Sequence, residues 1–237
     1  MKWVKDPVLE AHLRNMGVEF QAETIQLDQI DWEESLNRQA RIGKKYNEDW
    51  VLEYAETMGQ PEAAFYMTLV AKQGKFLWLL SGLHRGEAAK LRGISEMPCY
   101  VTTATDQRVL DVVSRTVNVL GGHRLPREEC LLHAEHMMGK WNIEAKEAAR
   151  LMGLNPVWVT THVRASATAK KIQELGTNPN GLAKNLLMQL HGLIPKSNVL
   201  REAVKWLKKH DGDTSFVEKR HFVEDVKKQE TEHKSLA

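Results

Sequence analysis

The spacing of apolar and polar residues predicts strands in the first part of the chain. Two apolar stretches, residues 63–71 and 75–80, flank a turn at Gly74, which is typical of a β-hairpin. Residues 97–102 form a further short apolar stretch of strand length. Residues 47–58 instead place their apolar side chains on one helical face, at Trp50, Val51, Tyr54 and Met58. We therefore expect strands and helices together in this part.

After residue 105 the apolar residues recur with helical spacing only. The predicted helices cover residues 106–120, 126–138, 143–152, 156–175, 182–193, 197–210 and 215–229. A cluster of turn formers at residues 177–181 is the best candidate for a linker. We predict an α+β protein in three segments. These are a domain with a small mixed sheet (1–105), an all-α domain (106–176) and a C-terminal helical segment (177–237).

Composition indicates a folded core and bears on the cellular location of the protein. Of the 237 residues, 42% are hydrophobic and 27% charged, which excludes wholesale disorder. Two cysteines, Cys99 and Cys130, cannot form a disulfide framework or a four-ligand zinc site. No run approaches the roughly 18 apolar residues of a membrane span, and the N-terminus lacks a signal peptide's apolar stretch. We expect a cytoplasmic protein with no membrane contact.

Residues 142–164 have the pattern of a helix-turn-helix unit. Ala149 is small enough for two helices to cross closely, and Gly153, four residues later, permits a left-handed turn. Val159 would pack the second helix onto the first, and Asn155 would cap it. The alternative is two ordinary helices of an all-α bundle.

The second helix of this unit carries the side chains that could contact DNA. The formal net charge of the chain, +2, neither demands nor excludes nucleic acid, so local charge decides. Basic residues outnumber acids around the unit, at Lys140, Lys146, Arg150, Lys170 and Lys171, and suit contact with phosphates. With the helix in a major groove, we expect a DNA-contacting set of Lys146, Asn155, Val157, Trp158, Thr160, Thr161, Arg164 and Lys170.

A second candidate site lies where the chain leaves the apolar stretch at residues 75–80. The sequence Ser81-Gly82-Leu83-His84-Arg85 predicts a turn and then the start of a helix. Backbone N–H groups at a helix start, beside a histidine and an arginine, can bind a phosphate group. The alternative is a turn that is purely structural.

Three spaced boxes resemble those of the ParB family, whose proteins combine a ParB/sulfiredoxin-like domain with a DNA-binding helix-turn-helix. Residues 37–41, N-R-Q-A-R, are similar to the first box and keep Gln39 and Arg41. Residues 82–89, G-L-H-R-G-E-A-A, resemble the phosphate box in its G-x-H-R form. Residues 118–129, N-V-L-G-G-H-R-L-P-R-E-E, resemble the third box. A plasmid-type or phage-type variant fits these forms best.

The resemblance implies CTP binding with Mg²⁺. The implied nucleotide site comprises Gln39, Arg41, Gly82, Leu83, His84, Arg85, Gly86, Asn118, His123 and Arg124, with Asn118 beside the metal. Val117 and Gly121 stand where the third box has an acid and an arginine, and Glu87 reverses a charge in the second box. We therefore expect the protein to bind the nucleotide. Hydrolysis of CTP, if it takes place, should be weak.

The implied function is that of a CTP-responsive DNA clamp, in partition of a plasmid, phage or mobile element or in transcriptional regulation. Double-stranded DNA, a partition ATPase and a second copy of the chain are the implied partners. Apolar positions that a short helical tail would struggle to bury alone support a homodimer: Leu186, Leu187, Leu190, Leu193, Val204, Trp206 and Leu207. The alternatives are a nuclease or nucleotide-dependent enzyme on the same fold, and a nucleotide-independent repressor.

Two further chemistries are disfavoured by the sequence. Sulfiredoxin needs a cysteine where this chain has Leu83, so sulfinic acid reduction is not expected. His133 and His136 have a spacing that metal ligands can show, but no third ligand matches them. We interpret both as core or surface histidines.

Overall fold

The computed structural model describes residues 1–38, 46–120, 125–211 and 213–235, which form two compact units. The N-terminal unit comprises Met1–Asn142 with Leu151–Gly153, and the C-terminal unit comprises Ile143–Arg150 with Leu154–Ala237. The compact units are thus two in number, and the three-segment division stays a prediction. No helix within the described ranges is long and apolar enough to cross a membrane.

The N-terminal unit is an α+β structure built on a four-stranded mixed sheet. The described part of the unit contains six strands, of which four form this sheet: β1 (Lys2–Val4), β2 (Gln21–Gln26), β3 (Ala64–Tyr66), β4 (Thr68–Gln73), β5 (Phe76–Ser81) and β6 (Glu96–Thr102). The sheet has the order β2-β6-β4-β5, with β4 and β6 parallel and the other pairs antiparallel. Strands β1 and β3 form a separate parallel pair.

The predicted hairpin is confirmed with one correction. Strands β4 and β5 pair across Gly74, whose φ of +61° is the left-handed conformation that glycine adopts easily. Residues 63–71 were expected to form one strand, but they form two. The first of them, β3, leaves the sheet and pairs with β1 near the N-terminus. Local apolarity does not distinguish these two pairings because both strands carry buried side chains.

Helices cover both faces of the sheet. In the N-terminal unit they are α1 (Pro7–Asn15), α2 (Trp32–Asn37), α3 (Glu48–Met58), α4 (Leu83–Leu91), α5 (Gln107–Leu120) and α6 (Arg127–Trp141). Alternate residues of each strand face opposite ways. Val70 and Leu79 therefore pack with α3 and α4, whereas Leu69 and Leu80 pack with α1 and α5.

The C-terminal unit is entirely helical in the part that the structure describes. Helix α7 (Ala145–Leu151) begins in it, and α8 (Pro156–Glu174), α9 (Lys184–Leu190), α10 (Ser197–Lys209) and α11 (Phe216–Ser235) follow. Its core gathers apolar side chains from α8 to α11: Ile172, Leu190, Leu193, Leu200, Ala203, Val204, Leu207 and Val223. The last helix extends beyond the predicted end at residue 229, and α9 is shorter than predicted.

Candidate functional site

Strand β5 leads into α4 through a glycine that no other residue could replace without strain. Gly82 has φ +83°, in the left-handed region that favours glycine. A Cβ atom on residue 82 would lie 2.3 Å from Cγ2 of Thr68 on the neighbouring strand. The sharp turn places the first backbone N–H groups of α4 directly after the strand. These groups have no partner within a helix and can bind an anion.

Arg85, in the first turn of α4, folds back towards the strands. Its Nη1 donates a hydrogen bond to the carbonyl oxygen of Tyr66, and its Nη2 lies 3.2 Å from the position that a Cβ on Gly82 would take. Burial lowers the pKa of the guanidinium, which stays charged because its ordinary pKa is far above neutrality. A half-buried cation therefore lies beside the turn.

His84 faces a different element from Arg85. Its Nε2 accepts a hydrogen bond from the backbone N–H of Asn47, the residue that caps α3, at 3.1 Å. The ring of Tyr46 stacks on the imidazole with centroids 5.7 Å apart, and the ring of Trp50 meets it edge-on at 5.2 Å. The imidazole is therefore part of the packing between α3 and α4.

The remaining residues predicted in this box have packing roles. Leu83 is 3% exposed and belongs to the core between the sheet and α4. A Cβ on Gly86 would lie 2.8 Å from Cη2 of Trp32, so only glycine fits under that ring. Glu87 pairs with Lys90 at 3.3 Å. Contacts of these residues with nucleotide stay predictions.

The other predicted nucleotide ligands are only partly described. Gln39, Arg41, His123 and Arg124 lie outside the described residues. The amide nitrogen of Asn118 donates to the carbonyl oxygen of Ser114, one helical turn earlier, at 2.9 Å.

The described part of the chain does not hold a metal site made entirely of protein side chains. Mg²⁺ prefers carboxylate and carbonyl oxygens, and Val117, which precedes Asn118, is buried in the core. No group of three His, Cys, Asp or Glu side chains within the described ranges could hold a metal. A magnesium ion here would need phosphate oxygens of a nucleotide as further ligands, and the role of Asn118 as a metal ligand stays a prediction.

Helices α7 and α8 are joined by a short turn with the spacing that the sequence predicts. Gly153 has φ +63°, and the N–H of Leu154 donates to the carbonyl oxygen of Ala149 at 2.8 Å. The side-chain oxygen of Asn155 accepts from the N–H of Val157 at 2.8 Å and so caps α8. Val159 is fully buried.

The predicted DNA-contacting side chains differ in their exposure. Val157 is 67% exposed and Trp158 is 44% exposed, although both are large and apolar. Arg164, six residues after Trp158 on α8, is exposed, and Thr160 and Thr161 are half-buried. The hydroxyl of Thr160 donates to the carbonyl oxygen of Pro156 at 3.0 Å, which leaves its oxygen as an acceptor. Lys146 and Lys170 are exposed.

Two of the basic residues counted around this unit are paired with acids. Arg150 Nη2 lies 2.6 Å from the carboxylate of Glu147, and Lys171 lies 3.1 Å from that of Glu174. Their positive charge is therefore partly offset locally. The spacing of three residues in each pair was visible in the sequence.

A polar cluster between α5 and α6 was not predicted from the sequence. Asp111 accepts hydrogen bonds from Arg115 at 3.0 Å, from Nε2 of His136 at 3.0 Å and from the indole of Trp141 at 2.6 Å. Arg115 also donates to Nδ1 of the fully buried His133 at 3.0 Å. The two histidines are thus bound within the fold, and only the spacing from Asp111 to Arg115 hinted at the cluster.

The charges in this cluster shift two pKa values. Burial would raise the pKa of Asp111, but the hydrogen bonds from Arg115 and Trp141 and the charges of Arg115 and His136 lower it to about 2. Burial, together with the charge of Arg115, lowers the pKa of His136. At neutral pH the cluster therefore holds one carboxylate bound directly to one guanidinium, and each of the two also contacts a histidine.

Comparison with known proteins identifies the fold. No family model and no curated protein matches the chain. The C-terminally truncated chromosome-partitioning protein ParB from Caulobacter crescentus, complexed to the centromeric parS site, aligns over 87% of this chain and 99% of its own. The TM-score is 0.50 and the identity 14%. The same protein complexed with CTP-γ-S aligns over 75% and 99% (TM-score 0.34, identity 16%). A Pnob8-like ParB-N domain aligns over 88% and 98% (TM-score 0.49, identity 10%).

These likenesses concern the fold. The chain has a ParB-like α+β fold, which confirms the fold class predicted from the three boxes and the pattern of elements.

Proposed function

We propose that this protein is a ParB-like, sequence-specific DNA-binding protein whose DNA contact responds to a cytidine nucleotide. The observation that carries the proposal is the start of α8. There a capped helix exposes Val157 and Trp158 after a tight turn, whereas the next residue, Val159, is buried. A helix presented in this way can enter a major groove with its first turn. The ParB of Caulobacter crescentus, which shares the fold, is complexed to parS DNA.

The side chains divide into two kinds of DNA contact. Arg164 is exposed and Thr161 is half-buried on α8, and both would reach base edges, which carry the sequence information. Lys146, on α7, is an exposed cation suited to phosphates, which any sequence offers.

A binding experiment separates these contacts. Duplexes selected from a random pool, and scrambled versions of them, are titrated with the protein and followed by fluorescence anisotropy. Arg164→Ala should lose roughly 1–3 kcal/mol on the selected duplex only. Lys146→Ala should weaken both duplexes alike and reduce the salt dependence. Arg220, exposed on α11 and paired with Glu224 at 2.9 Å, provides the matched control Arg220→Ala. Equal affinities of all these variants would refute the proposed surface.

The start of α4 is the nucleotide site that we propose. The first N–H groups of the helix and the guanidinium of Arg85 converge at the turn through Gly82, and a planar guanidinium can donate two parallel hydrogen bonds to a phosphate. Arg85 would leave the carbonyl oxygen of Tyr66 or share its donors with the phosphate.

Calorimetric titration with CTP, with ATP and with buffer tests this placement. Arg85→Ala should abolish CTP binding without unfolding the protein. Arg92, at the opposite end of α4, provides the matched control Arg92→Ala. A variant of Arg85 that binds CTP like the parent would place the nucleotide elsewhere. DNA affinity that does not change with CTP would favour the nucleotide-independent repressor.

The proposal includes a homodimer, because one helix-turn-helix contacts a short stretch of DNA and two symmetric half-sites are the usual arrangement. Light scattering at micromolar concentration, with and without CTP and a selected duplex, measures the mass. A monomer under every condition would exclude a clamp. A role in partition of a plasmid, phage or mobile element, with a partition ATPase as partner, or in transcriptional regulation, belongs to the same proposal.

A further inference from the structure

His84 and Arg85 are adjacent in the sequence, yet their side chains bind to different parts of the fold. Arg85 donates to the carbonyl oxygen of Tyr66, 19 residues earlier, on β3. His84 accepts from the N–H of Asn47, 37 residues earlier, at the start of α3. The two side chains of the G-x-H-R box therefore do not form one cationic pair directed at a common ligand.

The direction of the hydrogen bond to His84 limits what the imidazole can do. Because the N–H of Asn47 donates, Nε2 of His84 presents a lone pair, and the proton of the neutral ring lies on Nδ1. A phosphate oxygen only accepts hydrogen bonds. Nε2 cannot donate to a phosphate while it accepts from Asn47, so Nδ1–H is the one donor that the neutral ring retains.

The faces of the imidazole are also occupied. The ring of Tyr46 lies nearly parallel to it, at an interplanar angle of 15°, and the ring of Trp50 meets it at 69°. Tyr46 and Trp50 lie on either side of the N-cap of α3, and Asn47 Oδ1 caps that helix by accepting from the N–H of Asp49 at 3.1 Å. The imidazole therefore contacts the start of α3 through one hydrogen bond and two aromatic rings.

We infer that His84 is a positioning residue, which fixes the start of α3 against the start of α4 and leaves phosphate contact to Arg85 and the first N–H groups of α4. The inference rests on the proposed nucleotide site. It assigns to the two polar residues of the box two different roles. Arg85 supplies charge, and His84 holds the start of α3 against the start of α4.

Two substitutions of His84 separate positioning from direct contact. In His84→Gln the side-chain amide oxygen can reach the position of Nε2 and accept from Asn47. In His84→Ala no acceptor remains. We expect His84→Gln to keep CTP affinity within about twofold, and His84→Ala to weaken it by about threefold to tenfold, the range for one neutral hydrogen bond. Arg85→Ala should abolish binding.

Amide hydrogen exchange at Asn47 gives a readout that does not depend on nucleotide. Exchange at Asn47 should be slow in the wild type, in His84→Gln and in Arg85→Ala, and fast in His84→Ala. Slow exchange on β6 in every variant would show that the sheet remains folded.

Two results would overturn the inference. One is slow exchange at Asn47 in His84→Ala. The other is loss of CTP binding in His84→Gln to the extent seen in Arg85→Ala, which would make His84 a direct phosphate ligand. A wild-type protein that binds no CTP would refute the proposed function instead, and the exchange comparison would still decide whether His84 holds the start of α3.

Discussion

Replacing Asp111 with asparagine should destabilise the N-terminal unit substantially, although Asp111 lies in no predicted site. Its carboxylate accepts hydrogen bonds from Arg115 within α5, and from His136 and Trp141 on α6. An asparagine of the same shape has one acceptor oxygen and brings an N–H₂ group to face one of these donors. The substitution therefore removes the charge opposite Arg115 and weakens the hydrogen bonding between the two helices.

The pKa of Asp111 gives the size of the effect. A carboxyl that ionises at about 2 in the folded protein, against an ordinary value of 3.8, favours folding by about 2.5 kcal/mol at neutral pH. Because the folded-state pKa is the lower one, this stabilisation is present above about pH 4 and is lost as the pH falls through 2. About half of it remains at pH 3.

Urea unfolding, followed by circular dichroism at pH 7 and at pH 3, measures the effect. Asp111→Asn should unfold with about 2–3 kcal/mol less free energy than the wild type at pH 7, and the gap should narrow at pH 3. Asp28→Asn, the same chemical change at an exposed residue, is the matched control. A difference below about 0.5 kcal/mol at pH 7, typical of a surface substitution, would refute the argument. A gap that does not change with pH would show that the charge of Asp111 is not its cause.

Three further substitutions test the packing of the N-terminal unit by the same urea unfolding. Gly86→Ala should cost about 1–3 kcal/mol, because its Cβ would lie 2.8 Å from the ring of Trp32; no loss would mean that the ring moves freely. Gly139→Ala, in α6 with nothing within 4 Å of its Cβ, should instead stabilise by about 0.5–1 kcal/mol, and a loss would contradict the open space around it. Tyr100→Phe removes the hydroxyl that donates to Glu10 at 2.9 Å and should cost about 1–3 kcal/mol; unchanged stability would contradict that hydrogen bond.

Elements defined by neighbouring residues could be predicted from the sequence. The turn at Gly74 and the turn at Gly153 both require a left-handed backbone, and apolar residues at regular spacing flank each of them. Asn47 and Asn155 cap α3 and α8 through bonds to N–H groups two residues later. In each case the interaction joins residues close in the chain, so the spacing of residue types determines it.

Contacts between distant residues could not be predicted in the same way. The separation of β3 from β4 depends on β1, about 60 residues earlier. Asp111 meets Trp141 across 30 residues, and nothing near either of them marks the other as its partner. The packing of helices and strands determines such partners, and the local pattern of residues in the sequence does not specify that packing.

The phosphate box shows why a motif and its chemistry must be considered separately. Gly82 is required by its backbone angle and by Thr68, and Gly86 is required by the ring of Trp32, whether or not a nucleotide is bound. These glycines support the fold, and a chain that had lost nucleotide binding would still need them. Arg85 differs, because its side chain is not part of the apolar core and instead donates to the carbonyl oxygen of Tyr66. The glycines that make the motif recognisable are therefore explained by the fold alone, and the proposed nucleotide site has to be tested at Arg85.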